Sequence, residues 1–230
     1  MHHAQLSLAE GLNALIAGLI LISAFAMVAT RQTQGVLRFF ILQSALLATS
    51  SFLIGYSRHS IHLLALGCIT IAAKVIAIPW ILKRTLPSEV YERREIEQVL
   101  NIPSSLLLAL LLAIAAEFIV SPIAAISGDP VIQVNLPIGL AGVLIGGYSL
   151  IARREALPQL IGILAMENGA FFAGIAVAPE LPLIAELAVA IDIVLIAVVV
   201  GVLTRTITRQ IGTTRPALLS ELKEEPQPWR

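Results

Sequence analysis

The sequence predicts an all-α integral membrane protein of seven transmembrane helices, with the N-terminus outside and the C-terminus cytoplasmic. Three observations carry that reading. Hydrophobic residues make up 57% of the 230 residues and charged residues only 13%, about half of what a soluble domain's wetted surface carries. The mean hydropathy is +0.90. The apolar residues are also gathered into runs of the length that a helix needs to cross a bilayer, ~20 residues. This composition excludes a soluble enzyme and a disordered chain. A balance of 15 basic and 15 acidic residues leaves no basic excess for nucleic acid. Aromatics at 5% are too sparse for the girdles of a membrane β-barrel.

Seven runs qualify: 8–29, 36–56, 61–82, 102–122, 132–152, 156–178 and 181–204. Ala24-Phe25-Ala26 resembles a signal-peptide cleavage site, but no Lys or Arg precedes the first run, so the run is expected to be kept as a span. The separators are polar or turn-forming. They are 30–35, 57–60, the long charged stretch 83–101, Ser127-Gly128-Asp129-Pro130, the corner Arg153-Arg154-Glu155, and Ala178-Pro179-Glu180-Leu181-Pro182. Within the long stretch, 88–100 reads as a short surface helix in which Glu89 and Arg93 pair at i,i+4. It is either a solvated connector or a docking surface.

Orientation follows from the basic residues. Of fifteen Lys and Arg residues, thirteen fall in one set of alternate connections (Arg31, Arg38, Lys83, Arg84, Arg93, Arg94, Arg153, Arg154, Arg205, Arg209, Arg215, Lys223 and Arg230). Only Arg58 falls in the other set, and Lys74 lies within a span. Basic connections face the cytoplasm. Gly142-xxx-Gly146 and Gly169-xxx-Ala173 provide the small-residue spacing that lets helices approach closely, here expected to be packing inside the subunit.

The ionisable residues inside the apolar runs carry the functional information, because each is costly in hydrocarbon. Lys74 lies 13 residues into a 22-residue run, Glu167 lies 11 into a 23-residue run and Asp192 lies 11 into a 24-residue run. All three are near mid-membrane. Glu117 is five residues from the outer end of its run, and Glu186 five residues in from the outer end of the last. Glu186 and Asp192 are about 240° apart round one helix, so at most one of them points towards Glu167. Such a set reads as a proton-transfer or cation path, with Lys74 as the counter-ion or relay partner. The competing reading is a set of ion pairs that only tie helices together. Pro79 removes the donor to the Val75 carbonyl, and a kink beside Lys74 suits a hydrated cavity. His59 and His62, spaced i,i+3, lack a third ligand for a metal. One cysteine, Cys68, excludes an internal disulfide and a thiolate-held cluster. No phosphate loop or nucleophile elbow is present.

Two stretches resemble known families. Arg153-Arg154, then Ala165-Met-Glu167-Asn168-Gly169, then Asp192 in a last helix followed by basic residues, resemble the small three-helix K subunit of respiratory complex I. Lys74-Val-Ile-Ala-Ile-Pro79, Arg94-Glu-Ile-Glu97, Asn101-Ile-Pro-Ser-Ser-Leu and Ala165–Gly169 together resemble hydrogenase-4 component E over nearly the whole chain. Two departures stand. Asp192 replaces the Glu usual in the complex I subunit, and the spacing from Arg154 to Glu167 is about one helical turn longer than there. Glu117 and Glu186 have no counterpart that carries over.

The resemblance implies four regions. Residues 1–101 form an N-terminal three-helix membrane region with its cytoplasmic connector, 102–131 a linking transmembrane helix, 132–204 a K-subunit-like three-helix unit and 205–230 a cytoplasmic tail. It implies a non-catalytic subunit of a complex I-like assembly of the group 4 hydrogenase or formate hydrogenlyase type, in a bacterial or archaeal inner membrane. Its partners would be antiporter-like membrane subunits and the redox module's membrane anchor, with cytoplasmic iron–sulfur subunits reached indirectly. It would hold no cofactor and no metal. Glu167 and Asp192 would contribute to a proton-translocating hydrophilic axis. A stand-alone small transporter and a purely structural subunit are the alternatives.

Overall fold

The computed structural model describes residues 2–85, 99–177 and Ile196. Span seven with Glu186 and Asp192, the connector 86–98 and the tail therefore lie outside the described residues. Among the described residues six helices are long and apolar enough to cross a membrane, which with their composition makes this a multi-pass membrane protein. They are α1 (His2–Ala29), α2 (Thr33–Ser57), a third span made of α3 (Ile61–Thr70), a π segment (Ile71–Ala77) and α4 (Ile78–Thr85), then α5 (Ile102–Ser127), α6 (Pro130–Ala152) and α7 (Ala156–Val177).

Local chemistry explains most of the ends. Ser60 caps α3 by accepting from the Leu63 amide, and Asn101 caps α5 by accepting from Ser104. Asp129 caps α6, with Pro130 at its first turn, where a missing N–H costs nothing. Gly128, at φ +65°, takes the left-handed turn that ends α5. One expected boundary moves. The helix over 102–122 continues through Pro122 to Ser127, because a proline in a spanning helix is tolerated when neighbours absorb its lost bond.

Three contacts sort the helix ends into two sets. Arg58 makes a bidentate pair with Asp129, at 2.6 and 2.8 Å. It joins the α2–α3 and α5–α6 connections, and it neutralises the one basic residue outside the main set. At the other end Arg153 Nη2 donates to the carbonyl of Met27 at 2.5 Å, and the Val99 amide donates to the Ala152 carbonyl at 3.0 Å.

Helices α1, α2, α7 and α6 pack in that cyclic order as a four-helix ring. The third span flanks α2, while α5 flanks α6 and α1, so these two lie on opposite sides of the ring. Buried clusters fill it. Met27, Leu37, Phe40, Leu82 and Leu160 pack at the Arg153 end, and Ile196 joins them. Ile20, Leu47, Leu63 and Phe172 pack towards the Asp129 end. The closest seam is between α6 and α7. A Cβ built on Gly146 would come within 2.6 Å of the Met166 amide nitrogen, and one on Gly139 within 2.7 Å of Ala173 Cβ. The glycine spacing seen in the sequence is thus packing within the subunit.

Arg153 differs from the solvated corner its sequence context suggests. It is 2% exposed and holds the carbonyls at the C-terminal end of α1, where a cation is favoured by the helix dipole. Burial draws the guanidinium down from its ordinary value to about 10, against the opposing pull of Tyr148 and Glu155, so it remains charged at neutral pH. Arg153→Ala is expected to cost about 2–3 kcal/mol through lost charged hydrogen bonds, measured as unfolding in mild detergent. Arg154→Ala, at the exposed neighbour, should change little, and equal effects would contradict this assignment.

Candidate functional site

The polar centre of the bundle forms around Lys74. Pro79 cannot donate to Val75, and the ladder shifts register just before it: the Ile78 amide reaches back five residues to the Ala73 carbonyl. The wider π turn sets Lys74 facing α2 and α7. Wide turns of this kind recur at functional sites.

Lys74 is 1% exposed, and its Nζ lies 3.0 Å from Glu167 Oε2. The ammonium also donates to Asn168 Oδ1 at 3.1 Å. The Phe171 ring centroid is 5.0 Å away, within cation–π range. Glu167 and Phe171 are i,i+4 on α7 and so share a face. Asn168 then extends the network, donating through Nδ2 to Ser44 Oγ at 2.9 Å and to Gln43 Oε1 at 3.4 Å. A buried ammonium is thereby linked to a carboxylate and to three polar side chains across three spans. Glu167 is not sealed in. Its side chain keeps 20% exposure, while its Oε1 is buried with no hydrogen bond among the described residues.

Of the residues singled out in the sequence, Lys74 and Glu167 are brought together. Glu117 is not, because it is exposed on α5, across the ring from the third span. The extension of α5 also sets it ten residues from the helix end at Ser127, deeper than the five expected. His59 and His62 are exposed, and no group of three metal-ligating side chains occurs among the described residues. Sequence reasoning missed Asn168, Gln43 and Ser44 as partners. The adjacency of Asn168 to an intramembrane Glu was a usable signal for the first of them. It also missed a second buried node, where Asn13 Nδ2 donates to Asn135 Oδ1 and Ser50 Oγ donates to Asn13 Oδ1, both at 2.6 Å. This node ties α1, α2 and α6 together by hydrogen bonds in an apolar surround.

The comparisons with known proteins give matches over nearly the whole chain. Hydrogenase-4 component E of Escherichia coli K12 is 25% identical over 216 residues, covering 90% of this chain and 95% of the relative. The chain is distantly homologous to hydrogenase-4 component E. Shigella flexneri has a hydrogenase-4 component E with the same identity and coverage. An uncharacterized protein of Mycobacterium tuberculosis is 29% identical over 209 residues, covering 90% of this chain and 94% of its own length. No family model and no solved structure matches. The match to hydrogenase-4 component E runs across both the third span and α7, since it leaves only a tenth of this chain unaligned.

Proposed function

We propose that this chain is a non-catalytic membrane subunit of a hydrogenase-4-type, complex I-like assembly, and that Lys74 and Glu167 hold and pass protons at its centre. The observation that carries the reading is the buried Lys74–Glu167 pair with Asn168 at 3.1 Å, set in the middle of a chain homologous to a hydrogenase component. A carboxylate paired with an ammonium in a low-dielectric surround changes its proton affinity whenever the pair is loosened. The π segment offers a backbone that can loosen it. A proton taken up by Glu167 would leave Lys74 held by Asn168, and its release would restore the pair. Residues Asp192 and Glu186 would extend the route along span seven, whereas Glu117, on the far flank, takes no part in it.

In this reading the membrane is the bacterial or archaeal inner membrane, with the Arg153 end cytoplasmic. The partners are antiporter-like subunits and the membrane anchor of the redox module, and the chain bridges them. Residues 132–204 then serve as the K-subunit-like unit.

Glu167→Gln is expected to keep the complex assembled, because the amide still accepts from Lys74. It should reduce proton translocation coupled to electron transfer by about tenfold or more, on the scale of losing one titrating relay group. Acidification by inverted membrane vesicles, read beside the yield of intact complex, checks it. Full translocation with full assembly would sink the proton role and leave a purely structural pair.

A further inference from the structure

We propose that the face of α5 around Glu117 docks a transmembrane helix of a different protein, one that presents a basic side chain at mid-membrane. Glu117 is the sixteenth residue of a 26-residue helix, so it lies about 4 Å from the helix midpoint. It is exposed on the ring's outer flank, and no hydrogen bond or ion pair is recorded for it among the described residues. A carboxylate facing hydrocarbon is strongly disfavoured, and such groups pair with a cation or face protein. Among the described residues no cation is in place to pair with it: Lys74, the basic residue at mid-membrane, is held across the ring by Glu167 and Asn168.

The surface around Glu117 suits one kind of occupant. Ser121 and Ala125 continue its four-residue ridge, and small side chains let a second helix approach closely. The ridge presents a carboxylate, so its occupant must be a donor. A second copy of this chain does not fit. A two-fold contact of α5 on α5 would set Glu117 against Glu117, and two carboxylates repel. The partner is thus a different membrane protein with Lys, Arg or His⁺ at matching depth. This goes beyond the hydrogenase reading and does not depend on it.

The test uses the full chain in native membranes with a photo-crosslinking residue at Leu110 or Ile114, both exposed on the Glu117 side. Ile119, exposed on the opposite side, is the control. Leu110 and Ile114 should capture one membrane protein, identified by mass spectrometry, with a basic residue in an apolar run, and Ile119 should capture little of it. Glu117→Lys should lower that capture about 30-fold or more, the scale of breaking a desolvated charge pair. Exchanging the identified basic residue for Glu should restore it. Where Glu117→Lys fails to insert, Glu117→Gln should insert and still weaken capture several-fold. Products only with lipid, with this chain itself or with a second copy would overturn the proposal, as would failure of the charge exchange. A captured protein outside any redox assembly would leave this inference standing and remove the hydrogenase reading. Loss of coupling in Glu167→Gln without capture on α5 would do the reverse.

Discussion

Lys74→Met is expected to be the most damaging single replacement in the protein, costing about 3–5 kcal/mol as the penalty for stranding a buried carboxylate without its cation. The geometry gives the reason. Glu167 Oε2 sits 3.0 Å from Lys74 Nζ, and its other oxygen has no hydrogen bond among the described residues. Without the ammonium, Glu167 must either protonate or remain charged in a poor surround. The double variant Lys74→Met/Glu167→Gln removes both charges at little change in volume, and most of the lost stability should return. Coupled proton movement should not return. Unfolding in detergent and vesicle acidification, measured on the single and double variants, separate the two roles. Recovery of both stability and translocation in the double variant would make the pair a helix tie and nothing more.

Gly169→Ala should be nearly as severe for a different reason. A Cβ there would fall 2.6 Å from the Val143 amide nitrogen and 2.7 Å from the Gly139 carbonyl oxygen. Both are backbone atoms that cannot swing aside, so α6 and α7 must separate. The expected cost is about 3 kcal/mol, at the upper end for overpacking. Gly174→Ala, five residues on, meets nothing within 4 Å and serves as the control. Because Gly169 follows Glu167 and Asn168 directly, the same separation should loosen their grip on Lys74 and reduce coupled transport. Equal unfolding of the two variants would refute the seam as the element that fixes α7.

Much of the architecture was readable from residue order. The runs 8–29, 61–82 and 156–178 match helices that span Leu8–Ala29, Ile61–Arg84 and Ala156–Val177. The turn at Ser127–Pro130 and the proline-induced irregularity near Lys74 were also legible, since Gly, Asp and Pro act locally. The end of α5 lies five residues beyond the expected run 102–122, since a proline alone does not end a helix whose other faces are supported. The corner at Arg153 looked solvated because nothing in the local sequence announces the end of α1, 126 residues earlier in the chain.

The sequence by itself determined which of the described segments are long and apolar enough to lie in a bilayer, and that Lys74 and Glu167 sit near the middle of theirs. Length in residues converts directly to distance along a helix axis. It could not determine which way each helix faces. These helices are apolar on nearly every side, so no polar stripe marks an inward face. Lys74, Glu117 and Glu167 were therefore all read as members of one path. The tertiary structure separated them, because the glycine seam of α6 and α7 and the π turn at Lys74 fix the rotation of each helix. That rotation pairs Lys74 with Glu167 and Asn168 and leaves Glu117 facing outward.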